Sequence, residues 1–591
     1  MQKRVYNESS WNLKDLLKSH EGKEFDSVLA DLENKVKKVE SSKSKLTNNI
    51  SSEKVLQIIK DIEEVEKICS RLGAYSYMWF STDTKSQDAR TLQNKISQLG
   101  ADVSNRIIFF SLWFKQLDDN NADRIIKESK DYKYYFEKLR LQKPHTLSEK
   151  EEKVINIKDI TGSSVLNNLY NMITTSFVYE FEVDGKLKKM NYSELSKYIR
   201  SPKAKERKSS YDALLKKYAD NKDVIGEIYK AILTDWKNES LKLRDYKSYI
   251  SPRNLSNDIS DKAVNAMLNS VKKNSKVFHR YFRLKAKLLG MKKLTRYDIY
   301  APITVKEKNI SYDEAVKMVL SCYNEFSPDM AKLASKIIDE EHIHSLVSDS
   351  KKGGAYCYDI HPEITPYVFI SFTGKERDVS TLAHELGHGV HDLLTHNVPT
   401  LLSHPPLILA ETASVFGEMI LSDKLLEKED NNKNKQALLA SKLDDIYATV
   451  LRQAFFILFE MEAHKAVDEG ANIDKISEIY SKNLKEMFGD SMDVSDNFSL
   501  EWSYIPHIFA TPFYCYAYSF GNLLTLALYQ MYKKEGKSFV PKYIKFLSYG
   551  GSKKPSEICK ELNIDLESEK FWDQGFVVIN SMIDELEVLT K

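Results

Sequence analysis

The pentapeptide His384-Glu385-Leu386-Gly387-His388 constrains this chain more than any other stretch. On a helix with 3.6 residues per turn, side chains four apart lie about 40° apart around the axis and one turn apart along it, so the two imidazoles address one point. That point suits a zinc ion, which binds neutral imidazole nitrogens at about 2.0–2.1 Å and, when catalytic, takes three protein ligands and leaves one position for water. Glu385 stands beside the first imidazole, where a carboxylate can take a proton from that water. The flanks predict the helix. Val379, Leu382, Leu386, Val390, Leu393 and Leu394 form an apolar face at helical spacing, and Asp378, after Thr373-Gly374, offers an N-cap.

The third ligand decides which kind of site this is. A metzincin pattern would place a glycine at position 391 and a histidine at 394, where this chain has His391 and Leu394. Thermolysin-like and aminopeptidase-like spacings would put a glutamate near 407 or 408, and those positions are Leu407 and Ile408. The first carboxylate after Asp392 is Glu411, in Ala410-Glu411-Thr412-Ala413-Ser414. It leads a run that reads as a second helix through Glu418, reached by a loop containing Pro399, Pro405 and Pro406.

The stretch His384-Glu385-Leu386-Gly387-His388-Gly389-Val390-His391, followed by Glu411-Thr412-Ala413-Ser414, resembles the oligoendopeptidase F branch of the thimet oligopeptidase-like zinc metallopeptidases. Lys143-Pro144-His145-Thr146-Leu147-Ser148, Tyr297-Asp298-Ile299-Tyr300-Ala301-Pro302 and Gly353-Gly354-Ala355-Tyr356-Cys357 resemble segments of the same branch. The resemblance implies a gluzincin-type site, with His384, His388 and Glu411 as ligands of one zinc ion and Glu385 as general base. It also implies a mainly α fold, a neurolysin-like two-lobed helical shell around a deep substrate channel, with a small β-sheet beside the zinc helix. The implied activity is zinc-dependent hydrolysis of internal bonds in short peptides.

Size and composition agree with that expectation. A chain of 591 residues exceeds the roughly 250–300 at which one core stops growing, so more than one lobe is expected. Charged residues at 29% and a net charge of +2 fit a water-soluble protein and give no reason to invoke nucleic acid. No apolar run approaches the ~18 residues of a membrane span, and residues 1–7 contain no apolar leader core, so no membrane partner is expected. The five cysteines, Cys69, Cys322, Cys357, Cys515 and Cys559, are scattered and odd in number, which points to a reducing compartment. A cytoplasmic protein, favoured as a monomer, is the expectation. Cys357 and Cys515 read as buried, inert thiols among aromatic neighbours.

The chain divides into an N-terminal helical lobe over 1–115, a small helical segment with a β-hairpin over 116–195, and a catalytic domain over 196–591. Leu92, Ile96, Leu99, Val103 and Ile107 step as one buried helical stripe, and the mixed charges of 33–45 read as a solvated helix face. Phe177, Tyr179 and Phe181 alternate before an Asp184-Gly185 turn, the signature of a hairpin. Residues 356–360 and 367–372 read as strands, the second running into the zinc helix. A strand so placed either pairs with an extended substrate through its main chain or lies buried with no free edge, and the resemblance favours the first. Gly353-Gly354 is either a hinge over the cleft or a turn.

Amide hydrolysis also needs a donor to the oxyanion. Thr511 and Pro512 predict a helix starting there and running toward Tyr532. By the resemblance the donors fall on His507 with Tyr514 or Tyr516. These tyrosines lie about 200° apart on an ideal helix, so only one can face the site, and Tyr516 is preferred. His391, one turn past His388, could touch substrate or support a ligand. Glu418, on the face of Glu411, could orient a ligand imidazole through its free N–H. Two other functions share the scaffold: an exopeptidase of carboxypeptidase or dipeptidyl type, and a peptide-binding protein without catalysis.

Overall fold

The computed structural model describes residues 4–183, 185–303 and 309–591. Asp184 of the expected turn and residues 1–3 of the N-terminal stretch lie outside the described residues. The main elements run, in chain order, through helices α1 (Ser52–Thr82) and α2 (Gln87–Ile107), strands β1 (Tyr179–Val183) and β2 (Lys186–Met190), and helix α3 (Asp261–Leu288). There follow strands β3 (Ile343–His344), β4 (Tyr356–Tyr358) and β5 (Tyr367–Phe369), and helices α4 (Glu376–Leu394), α5 (Thr412–Lys428), α6 (Arg452–Asp468), α7 (Tyr516–Glu535) and α8 (Glu569–Leu589). Helix dominates, as expected, and the strands are few and short. Backbone contacts group the chain into two compact units. One comprises Met1–Lys143, Glu307–Leu425 and Met531–Asn563, and the other Pro144–Lys306, Leu426–Gln530 and Ile564–Lys591.

In the first unit α1 starts at Ser51, whose side chain accepts from Lys54 N, and buries Val55, Ile58, Ile59, Ile62 and Val65. Leu92, Ile96 and Val103 of α2 close the same core, with Leu99 and Ile107 packed at its margin. Each fully buried aliphatic side chain contributes roughly 1.5–3 kcal/mol, so this stripe alone binds α2 firmly. Arg106, at the end of α2, donates to both Glu33 and Glu40, which draws part of the charged stretch onto the helix pair. A second cluster of Trp11, Met78, Ile360, Tyr367 and Phe369 joins α1 to a three-stranded sheet.

That sheet differs from expectation in one respect that bears on the site. Its order is β3-β5-β4, with β5 parallel to β3 and antiparallel to β4. The strand that leads into α4 is therefore central and paired on both sides, so it offers no edge to a substrate. The one-sided strand beside α4 is β4. Both strands are shorter than read from sequence, ending at Tyr358 and Phe369. Ile370 N and Phe372 N still donate to His344 O and Ser345 O, each at 3.0 Å, which carries the sheet to the threshold of α4.

The second unit contains the hairpin, with Tyr179 opposite Met190 and the alternation seen in sequence: Tyr179, Phe181 and Val183 are buried. Its long helices α3 and α8 pack side by side, and Asp573 accepts from Ser270, Lys273 and Asn274 across the seam. Lys285 of α3 is fully buried, with Nζ on both oxygens of Asp444 at 2.6 and 2.7 Å and on Ile299 O at 2.7 Å. Removing one partner of such a pair leaves the other charge uncompensated, at a cost of about 3–5 kcal/mol. Lys285→Met is thus expected to lower the thermal midpoint sharply, and adding Asp444→Leu to recover much of the loss, as read by differential scanning calorimetry.

Candidate metal centre

Helix α4 carries the histidine pair as the spacing requires, with Val379, Leu382, Leu386 and Val390 buried on one face. Asp378 is not its N-cap. The helix begins at Glu376 and Asp378 sits in its first turn, where Oδ2 accepts from Thr373 N and Oγ1 at 2.7 Å and from Lys375 N at 3.2 Å. The carboxylate serves the same end from inside the helix, by capping donors and facing the positive helix terminus. Tyr323 Oη donates to Ala383 O at 2.5 Å and fixes the turn just ahead of His384.

Glu411 comes to the pair because α4 and α5 touch backbone to backbone. A Cβ on Gly387 would stand 2.7 Å from Ser414 Cα and 2.8 Å from Ala413 O, so only glycine permits the approach. Glu411 lies at the joint between the short helix Leu407–Ala410 and α5. Ser414 Oγ donates to Glu411 Oε2 at 2.8 Å, and Tyr543 Oη to Thr412 O at 3.0 Å, which hold the joint from both sides.

The resulting geometry is tight. His384 Nε2 and His388 Nε2 are 3.2 Å apart, and Glu411 Oε2 lies 3.4 Å from the first and 3.6 Å from the second. Two ligands on a tetrahedral zinc at about 2.0–2.1 Å stand roughly 3.3–3.4 Å apart. The three atoms thus have the spacing of three corners of such a site, and they are the group among the described residues fit to hold a metal ion.

The atoms behind the ligands set their tautomers. His384 Nδ1 lies 2.7 Å from Glu418 Oε1, and a ring N–H of His388 donates to the Ala410 carbonyl. Each ring is left with Nε2 directed to the common point. Glu418 is thus paired with the His384 ring. His391 is buried against the Ala410 and Leu547 carbonyls, and burial holds it down at about 4.

Charge at the centre is lopsided. Burial pushes His384 down, but Glu418, then Glu411 and Glu385, outweigh it and hold it up at about 9. Burial raises Glu385 to about 7 against the pull of His384, and the Cys357 N–H of β4 donates to it. His388 is held down at about 4, chiefly by burial. Three carboxylates converging on two imidazoles call for a cation, which is the chemical condition for a divalent metal. Burial and nearby carboxylates push the Cys357 thiol well up, so it is inert, as expected.

The other expected site residues lie in the second unit, except Gly353 and Gly354. Those two form an exposed turn ahead of β4, with Gly354 at φ +92°. The helix expected from Pro512 starts instead at Tyr516. Thr511 ends the short helix Pro506–Ala510, and Phe513 adopts φ +58°, a left-handed conformation costly for its side chain. Glu460 accepts Phe513 N–H at 2.8 Å and Arg253 donates to Pro512 O at 3.3 Å, which holds the turn in that conformation. Tyr514 therefore escapes the helix.

The preference for Tyr516 does not survive this geometry. Tyr516 is fully buried and its hydroxyl accepts from Asn257 Nδ2 at 2.7 Å. The rings brought together are His507, Tyr514 and Tyr518. His507 lies parallel to Tyr514 with centroids 6.3 Å apart, and Tyr518 stands edge-on to both, at 6.0 and 5.4 Å. Neither the His507 ring nor the Tyr514 hydroxyl has a hydrogen-bond partner among the described residues. Tyr518 was missed, although its four-residue spacing from Tyr514 was a usable sign. Cys515 is buried and its thiol raised by burial. The close helix contact generates one expected outcome: Gly387→Ala forces the α4 and α5 backbones apart and should lower metal affinity at least tenfold, measured by competition with a chromogenic chelator.

Comparison with known proteins adds the family. Residues 197–578 match Peptidase family M3, and residues 113–179 match the family described as Oligopeptidase F. Oligopeptidase PepF of Bacillus subtilis is 26% identical over 98% of this chain and 87% of its own length. The Oligoendopeptidase F homolog of Borreliella burgdorferi is 27% identical over 98% of this chain and 97% of its own. The crystal structure of oligoendopeptidase-F from Enterococcus faecium superposes with a TM-score of 0.72 at 22% identity, covering 96% of this chain and 98% of that one. With the family pattern spanning well over half its length, and the His-Glu-Leu-Gly-His helix within the matched part, the chain is a peptidase of family M3, in the oligoendopeptidase F branch.

Proposed function

We propose that the chain is a zinc-dependent oligoendopeptidase that cuts internal bonds of short peptides. The observation that carries this reading is the convergence of His384 Nε2, His388 Nε2 and Glu411 Oε2 at 3.2–3.6 Å with Glu385 beside them. His384, His388 and Glu411 hold the ion, and Glu418 fixes the His384 ring. Zinc, when bound there, supplies a Lewis acid and lowers the pKa of a water from 15.7 to about 7.

Glu385 takes the proton of the attacking water and returns it to the leaving amine. Its burial and the Cys357 N–H support that role, since both keep the carboxylate in one place. Strand β4 is paired on one side by β5, so an extended peptide can add to its other side by main-chain hydrogen bonds without selection of side chains. By the family resemblance the donors to the developing oxyanion fall on His507 and Tyr514, whose rings lie parallel with centroids 6.3 Å apart. Among the described residues no helix is long and apolar enough to cross a membrane. The five free cysteines support action in the cytoplasm, and we carry the monomer as the working state.

The test uses peptides blocked at both ends, read by mass spectrometry. Unsubstituted protein should cut them internally, lose activity to a chelator and regain it with zinc. Glu385→Gln should keep metal and peptide but turn over at most a trace; undiminished cleavage would remove Glu385 from the mechanism. Tyr514→Phe should lower kcat by about 10²–10³ with little change in KM.

A further inference from the structure

The sheet beside α4 turns its last strand outward. Val368 N of β5 donates to His342 O, and Ile370 N just after it to His344 O, so these residues spend their main chain on β3 while Tyr367 and Phe369 face β4. Tyr358 and Tyr356 stand opposite those two, and Cys357 stands opposite Val368. Cys357 is therefore the residue of β4 whose N–H and C=O point away from β5, as the alternation of an antiparallel pair requires. Its N–H is on Glu385, which puts the open side of β4 next to the metal centre. Its C=O faces the same way, toward the place an added strand would take.

The side chains alternate as well. Cys357 Sγ turns to α4, 3.7 Å from Asp392 Oδ2, while Tyr356 and Tyr358 turn to the opposite face of the sheet. There they meet Tyr77 of α1, whose ring centroid lies 5.4 Å from that of Tyr356 and 5.7 Å from that of Tyr358. All three rings are half-buried. Two of them are fixed from behind. Tyr356 stacks on Phe369 with centroids 4.8 Å apart, and Lys352 Nζ donates to Tyr77 Oη at 2.8 Å while Lys352 N donates to Ser81 O at 2.9 Å. Rings already held in place lose little freedom when another ring packs on them.

We propose that Tyr77, Tyr356 and Tyr358 form a subsite for aromatic side chains of the peptide substrate, filled best by two such side chains separated by one residue. Main-chain pairing to β4 is indifferent to side chains, so selection falls to this face. In a strand added to β4, the residues opposite Tyr356 and Tyr358 project over the rings, and the residue between them projects to the side of α4. Each ring-on-ring contact is worth about two- to tenfold in affinity. The assignment rests on the peptidase reading for its ligand, and every residue in it belongs to the first unit.

Zinc-loaded Glu385→Gln protein is titrated by calorimetry with two peptides of one composition, each acetylated, amidated and otherwise built of alanine and serine. One carries Phe-Ala-Phe at its centre and the other Ala-Phe-Phe. Equal composition cancels general hydrophobicity, so the ratio of affinities reads whether both rings fall on one face. The spaced peptide should bind at least about fivefold tighter. Tyr77→Ala and Tyr358→Ala should each bring the ratio to about one, and Tyr77→Phe, which keeps the ring, should retain most of it. Zinc affinity, by chelator competition, checks that the alanine variants keep the centre. A ratio below fivefold in the Glu385→Gln protein overturns the proposal, as does a preference that either alanine variant leaves intact. Absence of cleavage by the unsubstituted enzyme bears on the peptidase reading alone.

Discussion

The contact between Gly387 and the Ala413–Ser414 backbone is the constraint on which the rest of the centre depends. Two imidazoles from one helix can address a point unaided, but a third ligand from another helix reaches it only if the axes approach closely. A missing side chain makes that possible. The approach then lets Ser414 hold the Glu411 carboxylate and Glu418 hold the His384 ring, so one small residue decides the position of two carboxylates. The same logic of removal and support recurs at Phe513, where a backbone conformation that resists a side chain is held by Glu460 and thereby directs Tyr514.

Charge follows from this packing. The first unit gathers Glu385, Glu411 and Glu418 around two imidazoles. Such a concentration would be a liability in a purely structural core, where well-packed apolar residues would do as well. It fits a place where a cation is meant to arrive.

How much of this was legible follows the range of each interaction. The histidine helix and the buried stripe of α2 rest on periodicity within one helix and stand in the structure as read, whereas Glu411 was singled out by resemblance to a family, and the structure adds its distance from the two imidazoles. Strand order was not legible: both strands were found, but only coordinates show that β5 is central and β4 lies at the side. The start of α7 was misread for a similar reason. Thr511 and Pro512 carry local cap and first-turn signals, yet Glu460, distant in sequence, holds Phe513 in a conformation that postpones the helix. With it went the choice of Tyr516 over Tyr514. His391 shows the same limit, since its place on the helix face said nothing of the Ala410 and Leu547 carbonyls that bury it.

The chain passes from one compact unit to the other five times, and each unit closes only with segments from the far end of the sequence. A nascent chain leaving the ribosome in order therefore carries unfinished cores in both halves until residues beyond 530 have emerged. Helix α8, against which α3 packs, follows it by some three hundred residues of synthesis, so part of the apolar face of α3 waits that long for its cover. Biogenesis of this fold is a task of keeping early helices soluble, and its mixed surface charge serves that interval as much as the finished enzyme.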